Sequence, residues 1–209
     1  MNTNDVNVSG EVTSKFRFNH ESYGEKFFSS YLNIRRKSGI FDIVPIMVSE
    51  RLLDMKQDYE GKYIHISGQF RSYNWESETG NHLLIFVFAQ EATLIEEKNE
   101  INEIFLEGYI CKPTIYRKTP LGREVADLLL AVNRPYGKSD YIPCICWGRN
   151  ARYSSNLKIG NKIRITGRIQ SREYIKRMED EKRIAFEVSI SQMEVVESEE
   201  CKDQVADAE

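Results

Sequence analysis

The sequence lacks the features that mark membrane, secreted and metal-dependent proteins. It has no run of about 18 apolar residues, which a membrane-spanning helix needs, and no basic and apolar leader at its start. Its four cysteines include no CxxC pair, and its three histidines show no metal-ligand spacing. We therefore expect a cytoplasmic protein that carries no metal or other cofactor.

Motifs of catalysis are also missing from the sequence. There is no glycine-rich phosphate loop and no nucleophile signature. The carboxylates occur mostly in charged runs such as EDEK, residues 179–182, which are typical of solvated surface. These absences favour a binding protein over an enzyme.

The charge is distributed unevenly along the 209 residues, although the net charge is only −3. Residues 1–102 carry 11 basic and 15 acidic side chains, a net charge of −4, and residues 103–190 carry 17 and 10, a net charge of +7. Residues 191–209 carry one basic and seven acidic side chains, a net charge of −6. A basic middle segment thus precedes an acidic end, which the total conceals.

The chain repeats itself with a period of about a hundred residues. Gly10 in NVSGEV matches Gly108 in FLEGYI at an offset of 98, and Gly68 matches Gly167 at an offset of 99. Such register is expected when one supersecondary unit occurs twice. Other pairs in register are Gly24 and Gly122, Arg36 and Arg134, Asp42 and Asp140, Pro45 and Pro143, and Gly61 and Gly160.

Each unit has short strands divided by turn residues, with one helical segment between its third and fourth strands. In the first unit this segment is residues 49–61, where Leu52, Met55 and Tyr59 share one helical face. In the second unit it is residues 148–160. This order predicts an all-β protein of two tandem OB-fold domains, five-stranded Greek-key barrels with one short helix each. We expect domains at residues 1–100 and 101–196 and an acidic disordered tail at 197–209.

The predicted strand at residues 141–147 has two different faces, because successive side chains point in opposite directions. One face is compact and apolar, with Ile142, Cys144 and Cys146, which suit a barrel core. The other carries Pro143 and Ile145 between two large rings, Tyr141 and Trp147. Large aromatic side chains outside the core reduce solubility unless something covers them.

The predicted fourth strand, residues 162–174, also divides into an apolar and a cationic face. Its inner face has three isoleucines and a glycine. Lysine and arginine on the outer face are ordinary for an antiparallel barrel, but a flexible polyanion would complement both these cations and the rings. The outer face carries Lys162, Arg164, Thr166, Arg168, Gln170, Arg172 and Tyr174.

The second unit resembles the bacterial single-stranded DNA-binding proteins. The resemblance rests on TPxG, VA, LAVNR, the third strand with an aromatic at each end, KxG before a strand, GRxQxRxY and a final EV, in that order. It implies an OB fold that stacks bases on Tyr141, Trp147 and Tyr174 in a basic groove, and a homodimer, since the family assembles four barrels. Because the printed sequence closes on EECKDQVADAE, we expect this protein to differ from the family in its linker and in its acidic tip with a phenylalanine.

The pattern and the resemblance together predict sequence-independent binding of single-stranded DNA in replication, repair or recombination, with replication proteins as candidate partners. The alternative is an OB-fold assembly or adaptor protein of a primosome or phage replication complex with weak affinity for nucleic acid. The first unit has Ile43 and Ser49 where the second has Tyr141 and Trp147, so we expect it to supply mainly structure, pairing or a partner surface. The candidate binding residues are Tyr141, Trp147, Tyr174, Arg134, Arg149, Lys162, Arg164, Arg168 and Arg172, with Trp75, Tyr73 and Arg71 extending the track from the first unit.

Overall fold

The computed structural model describes residues 3–36, 38–77, 80–96, 98–176 and 181–196. The predicted tail at 197–209 lies outside these residues. The first repeat contains β1 (Asn4–Val12), β2 (Arg17–Ser22), β3 (Glu25–Arg35), β4 (Phe41–Ser49), β5 (Tyr63–Ser77) and β6 (Gly80–Leu94). The second contains β7 (Asn102–Ile110), β8 (Ile115–Lys118), β9 (Glu124–Asn133), β10 (Ser139–Trp147), β11 (Lys162–Lys176) and β12 (Glu181–Val195), with helix α1 (Arg149–Ser154) after β10.

Each repeat closes into a small barrel. In the second repeat the ring runs β7, β11, β12, β10, β9 and back to β7, and β10 with β12 is its one parallel pair among the described strands. The first repeat closes in the same way through β1, β5, β6, β4 and β3, with β4 and β6 parallel. The predicted OB barrels are therefore confirmed. A short sixth strand, β2 or β8, adds to the edge of each barrel.

The repeated glycines at the start of each unit have a steric cause. A Cβ atom on Gly10 would lie 2.3 Å from the carbonyl oxygen of Asn33, and one on Gly108 would lie 2.7 Å from that of Ala131. Only glycine lets β1 come this close to β3, and β7 to β9, where each ring closes.

The core follows the predicted alternation of strand faces. Ile142, Cys144 and Cys146 are buried, as expected, and so are the inward isoleucines of β11. Burial raises the pKa of the Cys144 thiol well above its usual value, which fits a side chain that serves as core filling. Ile145 is buried as well, although it lies on the face opposite to these residues, between exposed rings.

The helix predicted in the first barrel is absent, and this prediction was wrong. Residues 50–62 form successive turns, while the helix at the equivalent place in the second barrel, α1, is only six residues long. The Asp54 carboxylate accepts a hydrogen bond from the Lys56 amide at 3.1 Å, and Asp58 accepts one from Glu60 at 3.0 Å. Such local bonds compete with helical hydrogen bonds, while Leu53 and Tyr59 still reach the core. Within the described part of the chain, no helix has the length and apolarity that a membrane crossing requires.

The two barrels are joined by antiparallel pairing of their first strands, β1 with β7. In this register Val6 lies opposite Ile104, and these residues are 98 apart, the same as the offset of the repeat. Each strand therefore pairs with its own repeat across a pseudo-twofold axis, as in the self-complementary interface of a symmetric dimer.

Each barrel sends one long hairpin toward the other. Pairing of β7 with β11 ends at Gly167, at a bulge, and pairing of β1 with β5 ends at the equivalent Gly68. Beyond these points β11–β12 and β5–β6 continue as two-stranded hairpins. Bulges bend a strand, so the hairpins leave their own barrels.

Candidate nucleic-acid interface

Each hairpin is hydrogen-bonded to a strand of the other barrel, and the two sets of contacts occupy equivalent positions in the repeat. The Asp140 carboxylate of β10 accepts a hydrogen bond at 2.7 Å from the amide of Ser72, in the first barrel's hairpin, and the Ser72 hydroxyl accepts one at 2.8 Å from the Tyr141 amide. Asp42 of β4 in turn accepts bonds at 2.7 Å from the amide and hydroxyl of Ser171, in the second barrel's hairpin. The candidate site is therefore built by both barrels.

Arginines accompany both aspartates, but the two sites differ electrostatically. Arg36 donates two hydrogen bonds of 2.6 Å to Asp42, and although burial raises the pKa of Asp42, these bonds and those from Ser171 lower it below its usual value. At Asp140 burial prevails and raises the pKa, because the Arg134 nitrogen at 3.0 Å lacks the geometry of a hydrogen bond. Arg134 thus lies against a buried carboxylate beside Tyr141.

The outer face of β10 presents the two predicted rings. Tyr141 is 40% and Trp147 43% exposed, and six residues of extended strand place them about 20 Å apart. Arg149 is exposed at the start of α1, two residues after Trp147. The sequence thus places two solvent-facing rings on one strand, with a cation at its far end.

Tyr174 and Arg172 lie farther along the same side, on the β11–β12 hairpin. The parallel register of Cys144 with Val188 puts Tyr141 level with Ala185, which pairs with Arg172. Tyr174, 43% exposed, is two residues beyond. The Arg172 guanidinium lies 3.4 Å from the carboxylate of Glu187, a buried residue that the sequence reasoning did not consider.

Lys162 and Arg164 lie elsewhere on the second barrel. Both contact Glu107 of β7 at 2.6 Å, and their hydrogen bonds lower the pKa of that carboxyl group. Strand β12 separates this part of β11 from β10. Arg168 is exposed and lines an open cleft of about 810 Å³ on the outer face of the β1–β7 pair. Lys162 and Arg164 are therefore not grouped with Tyr141 and Trp147, whereas Arg168 pairs with Ser189, which lies level with Ile145 between the two rings.

The first barrel contributes Arg71 and Tyr73, which flank Ser72 in its hairpin. The Ser72 contacts bring them beside Tyr141. Tyr73 is exposed, and Arg71 is half-buried. The side chain of Trp75 lies outside the part of the structure that is described.

Sequence reasoning missed several residues near this surface. Tyr136 is fully exposed in the loop between β9 and β10, with a left-handed φ of 63°. The first barrel also exposes Tyr31 in β3 and Phe41 in β4, at positions without an aromatic in the second barrel. The 99-residue offset between Ser72 and Ser171 could have identified the hairpin contacts, because it continues the glycine register.

Comparisons with known proteins agree with the fold of the second barrel and with the arrangement of two barrels in one chain. Residues 101–196 match the model of the Single-strand binding protein family. The chain is 37% identical to the single-stranded DNA-binding protein of Halalkalibacterium halodurans, over 35% of this chain and 48% of that protein. It is also 37% identical to the single-stranded DNA-binding protein A of Bacillus subtilis, over 35% and 47%. The chain thus spans about half the length of these relatives.

The arrangement of both barrels together is also found among solved structures. The crystal structure of the wild-type single-stranded DNA binding protein from Thermus aquaticus superposes with a TM-score of 0.76, covering 93% of each chain at 20% sequence identity. At this identity the similarity concerns the fold alone. It extends over both repeats, whereas the family match is confined to the second.

Proposed function

Because residues 101–196 match the model of the Single-strand binding protein family, we propose that the whole chain binds single-stranded DNA without regard to sequence. The binding would serve replication, repair or recombination. The observation that carries the proposal is the exposure of Tyr141 and Trp147 on one strand face, with cations at both ends of that strand. Exposed rings stack on any base, and neighbouring cations attract the phosphates.

The path of the nucleic acid follows from the arrangement of strands. A single strand stacked on Trp147 and Tyr141 reaches the barrel junction, where Arg172 and Tyr174 continue on one side and Arg71 and Tyr73 on the other. Arg134 contributes by holding Asp140 and by partly cancelling its charge beside the bases. Lys162, Arg164 and Arg168 add long-range attraction, since Lys162 and Arg164 already contact Glu107.

We also propose that two chains associate, so that four barrels form the working unit. The outer face of the β1–β7 pair, with its cleft, is the surface that we assign to this contact. Phe105 lines the cleft and is half-buried in the single chain. A second chain would cover this apolar group.

Titration with oligo-dT tests the binding function. We expect quenching of tryptophan fluorescence, because bases stack on Trp147, and a slope of log K against log salt of about −0.7 for each phosphate contact. Tyr141→Leu should weaken binding about fivefold or more, since each stacked base contributes about 1–3 kcal/mol. The matched control is Tyr23→Leu, which removes a fully exposed tyrosine from the turn between β2 and β3.

Two results would contradict the proposal. The first is wild-type fluorescence that oligo-dT does not change at low salt. The second is equal affinity of Tyr141→Leu and Tyr23→Leu. Either result would favour an assembly or adaptor role, in which the same barrels bind proteins.

A further inference from the structure

The first barrel carries a column of flat side chains on its outer face. The His20 ring stacks on Phe27 with centroids 4.9 Å apart and planes inclined by 12°. Phe27 contacts Phe88 at 5.7 Å, and the guanidinium carbon of Arg71 lies 3.6 Å from the centroid of the Phe88 ring. The column takes its side chains from β2, β3, β6 and β5, passes over β4, and ends in the cation of Arg71.

The guanidinium of Arg71 is held in a fixed plane. Its Nε and Nη2 atoms both donate hydrogen bonds to Oε1 of Gln69, at 3.1 and 2.8 Å. No carboxylate of the described residues lies within ion-pair distance of it. An arginine held by a neutral amide keeps its positive charge available to an incoming anion, and its orientation is set before binding.

This cation lies at the barrel junction, beside the aromatic strand of the second barrel. Ser72, the next residue, is bonded to Asp140 and Tyr141 of β10. Burial lowers the pKa of Arg71, and the nearby charge of Arg134 lowers it further, while Asp140 opposes both effects. The charges that act on Arg71 thus come from Arg134, directly after β9, and from Asp140 of β10.

The second barrel has no equivalent of this arrangement. At the 99-residue offset, Gln170 stands in place of Arg71 and the buried Glu187 in place of Phe88. There the Gln170 amide donates to the Glu187 carboxylate at 2.8 Å. The first barrel therefore has the cation of Arg71 where the second has the amide of Gln170, and the ring of Phe88 where the second has the carboxylate of Glu187.

We propose that Arg71, supported by Phe88, is a base-stacking platform that leads single-stranded nucleic acid from Tyr141 of the second barrel onto the first. The inference rests on the proposed function. Guanidinium planes stack on bases as aromatic rings do, and the charge adds attraction for the neighbouring phosphates. The first barrel thus binds through residues that the repeat does not share, although its net charge is negative.

The test compares a planar guanidinium with an ammonium group at position 71. Arg71→Lys keeps the charge and loses the plane, so its affinity for an oligo-dT of about 30 nucleotides, long enough for two barrels, should fall about fivefold or more. The salt dependence should stay as in the wild type. On an oligomer of the same length with abasic sites throughout, the variant and the wild type should bind equally.

Arg17→Lys is the matched control, because Arg17 is an exposed arginine of the first barrel, in β2. Phe88→Leu, which removes the support and keeps Arg71, should weaken oligo-dT binding in the same direction. Urea unfolding of each variant verifies that the barrels are intact.

Three outcomes would contradict the proposal that Arg71 is a base-stacking platform. They are unchanged binding of oligo-dT by Arg71→Lys, an equal loss on oligo-dT and on the abasic oligomer, and a loss matched by Arg17→Lys. In all three the wild type still binds, so the proposed function stands. A wild type that does not bind oligo-dT overturns both proposals.

Discussion

Asp42 and Asp140 occupy equivalent positions in the two repeats, yet the pKa of Asp42 is lowered and that of Asp140 is raised. The difference comes from geometry around one side chain. Arg36 hydrogen-bonds both oxygens of Asp42, whereas Arg134 lies near Asp140 without such bonds. A buried carboxylate stabilises a fold only when its charge is well compensated.

We predict that Asp42→Asn costs roughly 3 kcal/mol of unfolding free energy at pH 7, because it breaks a compensated buried pair. Asp140→Asn should cost clearly less, since folding already disfavours that charge. Urea unfolding measures both, and an equal loss in the two variants would contradict the assignment.

The pH dependence of stability should separate the two aspartates further. Asp42, with its lowered pKa, contributes stability that is present above the unfolded value of about 3.9 and is lost as the pH falls through the folded value. The advantage of the wild type over Asp42→Asn should therefore shrink below about pH 4. For Asp140, whose pKa is raised, the pH dependence of stability has the opposite sign. Folding becomes more favourable as the pH falls, because protonation relieves the cost of burying the charge.

At the scale of elements, the bulges decide where each hairpin points. A Cβ atom on Gly167 would lie 2.3 Å from the carbonyl oxygen of Ser189, and one on Gly68 would lie 2.1 Å from that of Phe88. Each bulge ends pairing with the barrel's first strand and frees the rest of the hairpin to cross the junction. The glycines of the repeat thus position Ser72 and Ser171.

Gly167→Ala should destabilise the protein more than Gly122→Ala and should reduce binding of oligo-dT. Gly122 has a left-handed φ of 76° in an open loop, where alanine costs about 1 kcal/mol. At Gly167 the new methyl group must also displace the backbone of β12. Thermal unfolding and oligo-dT titration of both variants provide the measurement, and equal midpoints would argue against a steric bulge.

On the scale of the whole molecule, the chain already contains the contact of a symmetric dimer. Pairing of Val6 with Ile104 reproduces the repeat offset across the β1–β7 seam. The seam leaves one outer face with an open cleft, and two chains meeting there would give four barrels. Light scattering should accordingly give about twice the 24.4 kDa of one chain.

Phe105→Glu should reduce the mass in solution to that of one chain, because it places a charge in the proposed contact. Phe18→Glu, a matched change at an exposed phenylalanine of β2, should leave the mass unchanged. A wild type that already has the mass of a single chain would exclude the dimer.

The sequence by itself determined the repeat, the strand faces and the two barrels, because these depend on local alternation and on glycines in register. It could not exclude a helix at residues 49–61, where apolar spacing suited a helix but the Asp54 and Asp58 side chains bond to nearby amides instead.

Only the tertiary structure decided which predicted residues share a surface. It paired Lys162 and Arg164 with Glu107, and it brought Arg71 and Tyr73 of one barrel beside Tyr141 of the other. Side-chain alternation fixes which face of a strand a residue occupies, but bends, bulges and partners distant in sequence fix what lies opposite that face.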